Sequence, residues 1–352
     1  MRKEALRILR EGTVIPAIPL VLDESLELDE EGQRRLIRYY LEAGVGGIAT
    51  AVHTTQFEIR DPEVNLFEKI LSITAEEVQT FESRTGKTII LVAGACGPTD
   101  QAVKEAIIAS RMGYDAVLLS PGGLNDYSED QLVERTKQVT AIIPVIGFYL
   151  QPAVGGRVFT YNYWERVCDI NNVVAIKVAA FDRYLSLDVV RAVAFSRRRK
   201  EISLYTGNDD NIVNDLITKY QFIKDGETIT CSFVGGLLGH WSIWTGNVVK
   251  MFHEIKKAVV KDQITPGLLT LAAEVTDVNS AVFDTAHNFK GCIVGIHQVL
   301  YKQGLMKNIS TLNKEEVLSP GQLEEIERVY AMYPHLNDDE FVKEFLKKEE
   351  QR

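Results

Sequence analysis

Eight short apolar runs separated by longer amphipathic segments dominate this chain, and that alternation restricts its possible folds more than any other feature. The runs are TVIPAIPL (13–20), GGIATAV (46–52), TIILVAG (88–94), DAVLLSP (115–121), PVIGFYL (144–150), VVAIKVA (173–179), ISLYTG (202–207) and TITCSFV (228–234). Between them, apolar side chains recur at helical spacing, as in Leu36, Ile37, Tyr40 and Leu41, or Leu132, Val133, Thr136 and Val139. Boundary chemistry agrees. Ser128 with Gln131 reads as a capping box, Thr99 and Thr160 as caps of two further helices, and Gly44 and Gly113 stand where helices should end.

Strands that are apolar along their whole length are covered on both faces. Eight of them, each followed by a helix, are what a closed barrel requires, so the expected class is α/β, a (β/α)8 TIM barrel. An open doubly wound sheet would place a glycine-rich turn after its first strand, and PLVLDESLEL (19–28) contains no glycine. The pattern assigns residues 1–260 to the barrel and residues 261–352 to a C-terminal helical region packed on it, with no Pro- or Gly-rich linker between them.

Charge and motif content narrow the function classes. With 39 Lys plus Arg against 49 Asp plus Glu, the net charge of −10 opposes a nucleic-acid partner. The basic run Arg197–Lys200 is read as the last turn of a helix. No segment approaches the ~18 consecutive apolar residues of a membrane span, and the opening MRKEALRILREG lacks a secretory core, so a cytoplasmic protein without membrane contact is expected. The cysteines Cys96, Cys168, Cys231 and Cys292 have no paired spacing. The six histidines show no His-x-His pair and no carboxylate at ligand spacing, and no metal site is expected.

In a barrel of this kind the reactive groups come from the C-terminal ends of the strands. VVAIKVA places Lys177 in an otherwise apolar run, where burial would lower its pKa and supply a neutral amine able to attack a ketone; a lysine snorkelling at the sheet rim is the alternative. PVIGFYL ends in Tyr149, one β/α unit earlier, a phenol able to move a proton if both side chains face inward. The second run leads into HTTQFE, whose Thr54 and Thr55 offer hydroxyls. After the seventh run, Asn208, Asp209 and Asp210 either contact substrate hydroxyls or cap the next helix, with Asp209 at the N-cap. His240 and Trp241 follow the eighth run, either lining a pocket or starting a packed helix.

The order of a Thr-Thr turn after strand two, a tyrosine at the end of strand five and an Ile-Lys pair in strand six resembles the dihydrodipicolinate synthase and N-acetylneuraminate lyase family of class I aldolases. GTVIPAIPLVLDESLELD, GVGGI, GYDAVLLSP, PVIGFY, NVVAIK and TGNDD are similar to family segments in family order. The resemblance implies imine formation between Lys177 and pyruvate or a larger 2-oxo acid such as a 2-keto-3-deoxy sugar acid. Tyr149 would be the proton-transfer partner, the hydroxyls of Thr54 and Thr55 would hold the substrate carboxylate, and no cofactor is needed. A homo-oligomer, dimer or tetramer, is expected on the same ground. The departures are local. The turn reads Val52-His53-Thr54-Thr55-Gln56-Phe57-Glu58, one residue longer than Gly-Thr-Thr-Gly-Glu, so which of His53, Thr54 and Thr55 faces the carboxylate is open. Ser120-Pro121-Gly122-Gly123 lacks the synthases' strand-four tyrosine, and Val154 stands in place of their arginine. Gly155-Gly156-Arg157 offers an arginine nearby. These changes argue against the synthase reaction, and the altered loops motivate a second reading, a non-catalytic barrel acting as a sugar-acid sensor or scaffold.

Overall fold

The computed structural model describes residues 1–351. The strands are β1 (Val14–Pro16), β2 (Gly47–Thr50), β3 (Ile90–Ala95), β4 (Ala116–Leu119), β5 (Val145–Leu150), β6 (Val173–Ala179), β7 (Ser203–Thr206), β8 (Tyr220–Lys224), β9 (Glu227–Cys231) and β10 (Phe233–Leu238). Helices α1 (Lys3–Glu11), α2 (Glu30–Ala43), α3 (Phe67–Thr85), α4 (Thr99–Arg111), α5 (Glu129–Thr140), α6 (Tyr161–Cys168), α7 (Arg183–Phe195) and α8 (Ile212–Ile217) alternate with them. They are followed by α9 (Thr245–Val260), α10 (Pro266–Val282), α11 (Cys292–Lys302), α12 (Gln322–Met332) and α13 (Asp339–Glu349). Eight strands, all but β8 and β9, belong to one sheet, giving a (β/α)8 barrel with C-terminal helices.

The chain divides into two compact units, each discontinuous. The first contains Met1–Thr13 and Ile90–Leu237. Its strands pair in parallel in the order β3, β4, β5, β6, β7, β10. Helix α1 is fastened to this sheet by Arg2, whose backbone N–H (3.1 Å), Nε (3.0 Å) and Nη2 (2.8 Å) donate to the buried carboxylate of Asp115. Asp115 also accepts the N–H of Leu91 at 3.1 Å, so one carboxylate joins the helix to two adjacent strands. The capping box of Ser128 and Gln131 starts α5, and Thr160 caps α6 by accepting from Tyr163 N. Thr99 does not cap: it lies inside α4, whose N-cap is Pro98.

The second unit contains Val14–Ile89 and the stretch from Leu238 onward. Here Asp29 caps α2 by accepting from Gly32 N, and Gly44 ends the helix at φ 92°, a left-handed conformation that favours glycine. The C-terminal stretch is tied to the early one. Arg35 donates to Leu305 O (3.2 Å), Lys307 pairs with Asp29 (2.8 Å), Asn308 donates to Leu22 O (3.0 Å), and Leu312 N donates to Gln56 Oε1 (2.7 Å). Buried Asp338 accepts from Tyr39, Gly246 N and Gln303, joining α2, α9 and the segment after α11.

Two further expectations are corrected. TITCSFV is not the eighth barrel strand: Thr228–Cys231 pair antiparallel with Tyr220–Phe222 and Ile223 in a hairpin, and the barrel strand is Phe233–Leu238. The connection is Asp225-Gly226 at φ 53° and 80°, the two-residue turn in which both residues need positive φ. The run Arg197–Lys200 lies in a turn beyond the end of α7 at Phe195. Arg198 is held there by the carbonyls of Ile170 and Val173 and by Glu201.

Candidate active site

Lys177 lies in β6 between apolar neighbours that are all buried, and only 9% of its own surface is accessible. Parallel register pairs Phe148 with Lys177 and Lys177 with Tyr205, so these three side chains stand on one face of the sheet. The ammonium nitrogen sits 4.4 Å from the centre of the Phe148 ring. The Tyr205 phenol on the same face is not available to it, since it donates to Leu9 O at 2.9 Å and burial drives its pKa far up. A β carbon added at Gly207 would fall 2.6 Å from Lys177 Cε and 2.9 Å from Ala179 Cβ. The chain after β7 therefore passes directly against the lysine, which only glycine permits.

Burial pulls the Lys177 pKa down from 10.5 to about 8, with the nearby Asp209 opposing the shift. At pH 7 about one amine in ten is then neutral, against about one in three thousand for an exposed lysine. The snorkelling alternative does not describe this side chain.

Tyr149, expected as the proton-transfer partner, is packed away from Lys177 in this structure. Its register partner is Val178, which puts it on the face opposite Lys177. Its ring packs against Trp164 (5.3 Å) and Phe159 (5.5 Å), and its hydroxyl accepts the N–H of Phe159 at 3.2 Å with no accessible surface. Gly147, two residues earlier on that same face, also looks onto Trp164. Burial raises the phenol's pKa, and the charges acting on it are Asp182, Asp188 and Glu129. Tyr149→Phe is therefore expected to change the rate of any reaction at Lys177 by less than about threefold, read as the rate of covalent trapping by a keto acid.

Asn208 is fully buried and its amide is consumed inside the protein. Its Oδ1 accepts from Phe181 N (3.0 Å), and its Nδ2 donates to Asp215 (2.9 Å) and Ser186 (3.4 Å). In this structure Asn208 anchors the turn after β7. Asp215, with no accessible surface, also accepts from Thr206 (2.6 Å) and Asn211 (2.8 Å) and pairs with Arg183 (3.2 Å), which in turn pairs with Asp210 (3.2 Å). The N-cap of α8 is Asn211, not Asp209. Two of the three polar residues after β7, Asn208 and Asp210, are thus fixed in a buried hub that holds the turn, and Asp209 between them is half-buried.

In the second unit, His53–Thr55 form a 3₁₀ turn. Thr54 donates to Ala17 O (2.6 Å) and Thr55 to Ile18 O (2.8 Å), both in buried surroundings. A hydroxyl has one proton, and here both are spent on the segment after β1. His53 is half-buried, its ring 5.9 Å from Phe57. The nitrogen Nε2 of the neighbouring Gln56 is buried without a partner. His240 is buried, and desolvation lowers its pKa to about 4, so the imidazole is neutral. With Trp244, Leu268, Val275 and Leu336 it lines a cleft of about 300 Å³ beside α9 and α10.

Ser120 Oγ accepts from Gly122 N (3.1 Å), closing a small turn after β4. The Arg157 guanidinium donates to the carbonyls of Leu124, Asn125 and Tyr127 and lies 5.5 Å from the Phe159 ring. Sequence reasoning missed Phe148, one residue from the tyrosine it chose. It also missed Arg135, a buried cation on α5 that donates to Gly97 O and Ser120 O at the ends of β3 and β4. No group of three or more His, Cys, Asp or Glu side chains able to hold a metal ion occurs among the described residues.

A model of the dihydrodipicolinate synthetase family matches residues 11–219. A 4-hydroxy-tetrahydrodipicolinate synthase of Protochlamydia amoebophila is 24% identical over 187 residues, 52% of this chain and 58% of its own. N-acetylneuraminate lyase 2 of Escherichia coli O6:H1 is 24% identical over 297 residues, 83% of this chain and 85% of its own. The chain spans about three fifths of the length of the synthases it matches. Among solved structures, a dihydrodipicolinate synthase from Oceanobacillus iheyensis superposes with a TM-score of 0.73 at 15% identity, covering 94% of this chain and 99% of that one. An N-acetylneuraminate lyase from Fusobacterium nucleatum gives 0.69 at 13%, covering 92% and 99%. At such identities the likeness establishes the fold.

Proposed function

We propose a function from one premise: the chain belongs to the dihydrodipicolinate synthetase family. It is a Schiff-base-forming lyase, aldolase or dehydratase acting on a 2-oxo acid, with Lys177 as the nucleophile. The observation that carries this reading is the amine itself, buried in an apolar strand against Phe148 and held near pKa 8. An imine formed there, once protonated, accepts the electron pair released when a bond to the neighbouring carbon breaks, a task a bare carbonyl oxygen performs poorly. His53 is the proposed contact for the substrate acid group, and the barrel is proposed to be a homo-oligomer.

The reaction proposed is not the synthase condensation. The positions where the resemblance would put a second tyrosine and a carboxylate-binding arginine hold Ser120 and Val154, and Arg157 is taken up by loop carbonyls. These differences favour another 2-oxo acid, such as a 2-keto-3-deoxy sugar acid.

The test is incubation with pyruvate and borohydride, read by intact mass and peptide mapping. A reduced adduct on Lys177 is expected, and its absence would leave a sensor or scaffold as the reading. Its pH dependence follows from the amine. Since only the neutral form attacks, the trapping rate should rise about tenfold per pH unit below 8 and level off above it. A midpoint near 10.5, the value of an ordinary lysine, would remove the basis of the proposal.

A further inference from the structure

We propose that Phe148 takes part in the chemistry at Lys177: the face of its ring holds the positive charge of the protonated imine and so favours capture of a 2-oxo acid. The inference rests on the Schiff-base reading above and adds a second side chain to it.

The geometry comes from three adjacent strands. Parallel register sets Phe148 of β5 and Tyr205 of β7 on either side of Lys177, on one face of the sheet. From the β7 side the chain closes on the lysine stem at Gly207, where an added β carbon would fall 2.6 Å from Cε and 3.0 Å from Cγ. On the β5 side Nζ lies over the Phe148 ring, 4.4 Å from its centre. Both side chains are buried. A cation within ~6 Å of the centre of an aromatic face is attracted by the ring's quadrupole, most strongly where water is excluded. The titratable groups near the amine are Tyr205, whose hydroxyl donates to Leu9 O, and Asp209 in the turn after β7. Both are present whatever residue stands at position 148, so variants there isolate the ring.

The step balances without an outside reagent. The Nζ lone pair of the neutral amine attacks the keto carbon as the carbonyl π pair moves to oxygen. That oxygen takes one proton from nitrogen and a second from solvent and leaves as water, while the nitrogen lone pair closes a C=N bond that carries the charge. Amine, ketone and one proton thus give iminium and water. The ring attracts the ammonium and the iminium alike, but not the neutral amine. Its contribution to capture therefore appears only where the free enzyme is uncharged, above the midpoint of the amine's titration.

The experiment measures the pyruvate concentration that half-saturates cyanoborohydride trapping, read by intact mass from pH 6 to 9.5. It compares the wild type with Phe148→Leu and with Phe148→3,4,5-trifluorophenylalanine, which keeps the ring's shape while cancelling most of its quadrupole; Lys177→Ala is the blank. In Phe148→Leu, capture should weaken about 10- to 30-fold at pH 9.5 and less than about twofold at pH 6, with the amine's midpoint lowered by about 1 to 1.5 pH units. The fluorinated chain should lose affinity in the same pH window. A loss of equal size at every pH would mean that Phe148 only shapes the pocket, and it overturns the proposal, as does wild-type affinity at pH 9.5. Absence of a wild-type adduct at every pH removes the Schiff-base reading itself, a result distinct from the other two. Should Phe148→Leu not fold, the fluorinated chain alone decides between them.

Discussion

Lys177→Met is expected to abolish the pyruvate adduct and lower turnover by about 10⁴-fold or more, while making the protein more stable at neutral pH. The first effect follows from removing the only group in β6 able to bond a ketone. The second follows from linkage. Holding the amine near 8 instead of 10.5 costs folding about 3 kcal/mol at pH 7, because the unfolded chain keeps a proton that the folded one tends to lose. Methionine fills a similar volume among Phe148, Tyr205 and Ala179 without that penalty. The sign sets the pH window. The penalty is fully present below pH 8, fades between 8 and 10.5, and is gone above. Urea unfolding at pH 7 and at pH 10 should show the variant's lead over the wild type shrink from about 3 kcal/mol to under about 1 kcal/mol. A variant less stable than the wild type at pH 7 would mean that Lys177 is not desolvated.

The second large effect is expected at Asp215. In Asp215→Ala the buried donors of Thr206 and Asn208 lose their acceptor and Arg183 loses a partner. Stranded donors of this kind cost about 1 to 3 kcal/mol each, offset by relief of a carboxylate whose pKa burial already raises. A net loss of about 3 kcal/mol in denaturant stability is expected. Asp215→Asn keeps an acceptor oxygen and should lose about 1 kcal/mol. Because the hub fixes the turn that passes against Lys177 at Gly207, adduct trapping should slow by about 10- to 100-fold in Asp215→Ala even where the protein stays folded. Unchanged trapping in a folded Asp215→Ala would show that the turn needs no such support.

How much of this was legible depended on contrast between neighbouring residues. Lys177 stood out because a cation in VVAIKVA has no bland neighbours to hide among, and the barrel followed from repetition. The phase of strand five was not legible, because PVIGFYL is apolar on both faces and period-two alternation has nothing to mark. Only Gly147, placed where Trp164 needs room, hints that residues 147 and 149 look outward. Thr54 and Thr55 showed the right chemistry for a carboxylate, but their acceptors, Ala17 O and Ile18 O, lie some 37 residues away in sequence. Among Asn208, Asp209 and Asp210, three polar residues in a row, the anchoring of Asn208 was decided by Ser186 and Phe181, on a helix and a loop distant in sequence. The hairpin did carry a signal: Asp225-Gly226 between two alternating runs spells a two-residue turn, yet the apolar content of TITCSFV read as a barrel strand.

Interleaving of the two compact units has a bearing on how the polypeptide is made. Each unit joins an early piece to a late one, Thr13 to Ile90 in the first and Ile89 to Leu238 in the second. On a ribosome adding about 5 to 20 residues per second, the segment ending at Ile89 waits on the order of 10 s before its complement begins to emerge. Through that interval Arg35, Asn308's acceptor at Leu22 and the Gln56 side chain lack the groups that later secure them. Final packing of the early segment is thus expected to follow synthesis of the late one.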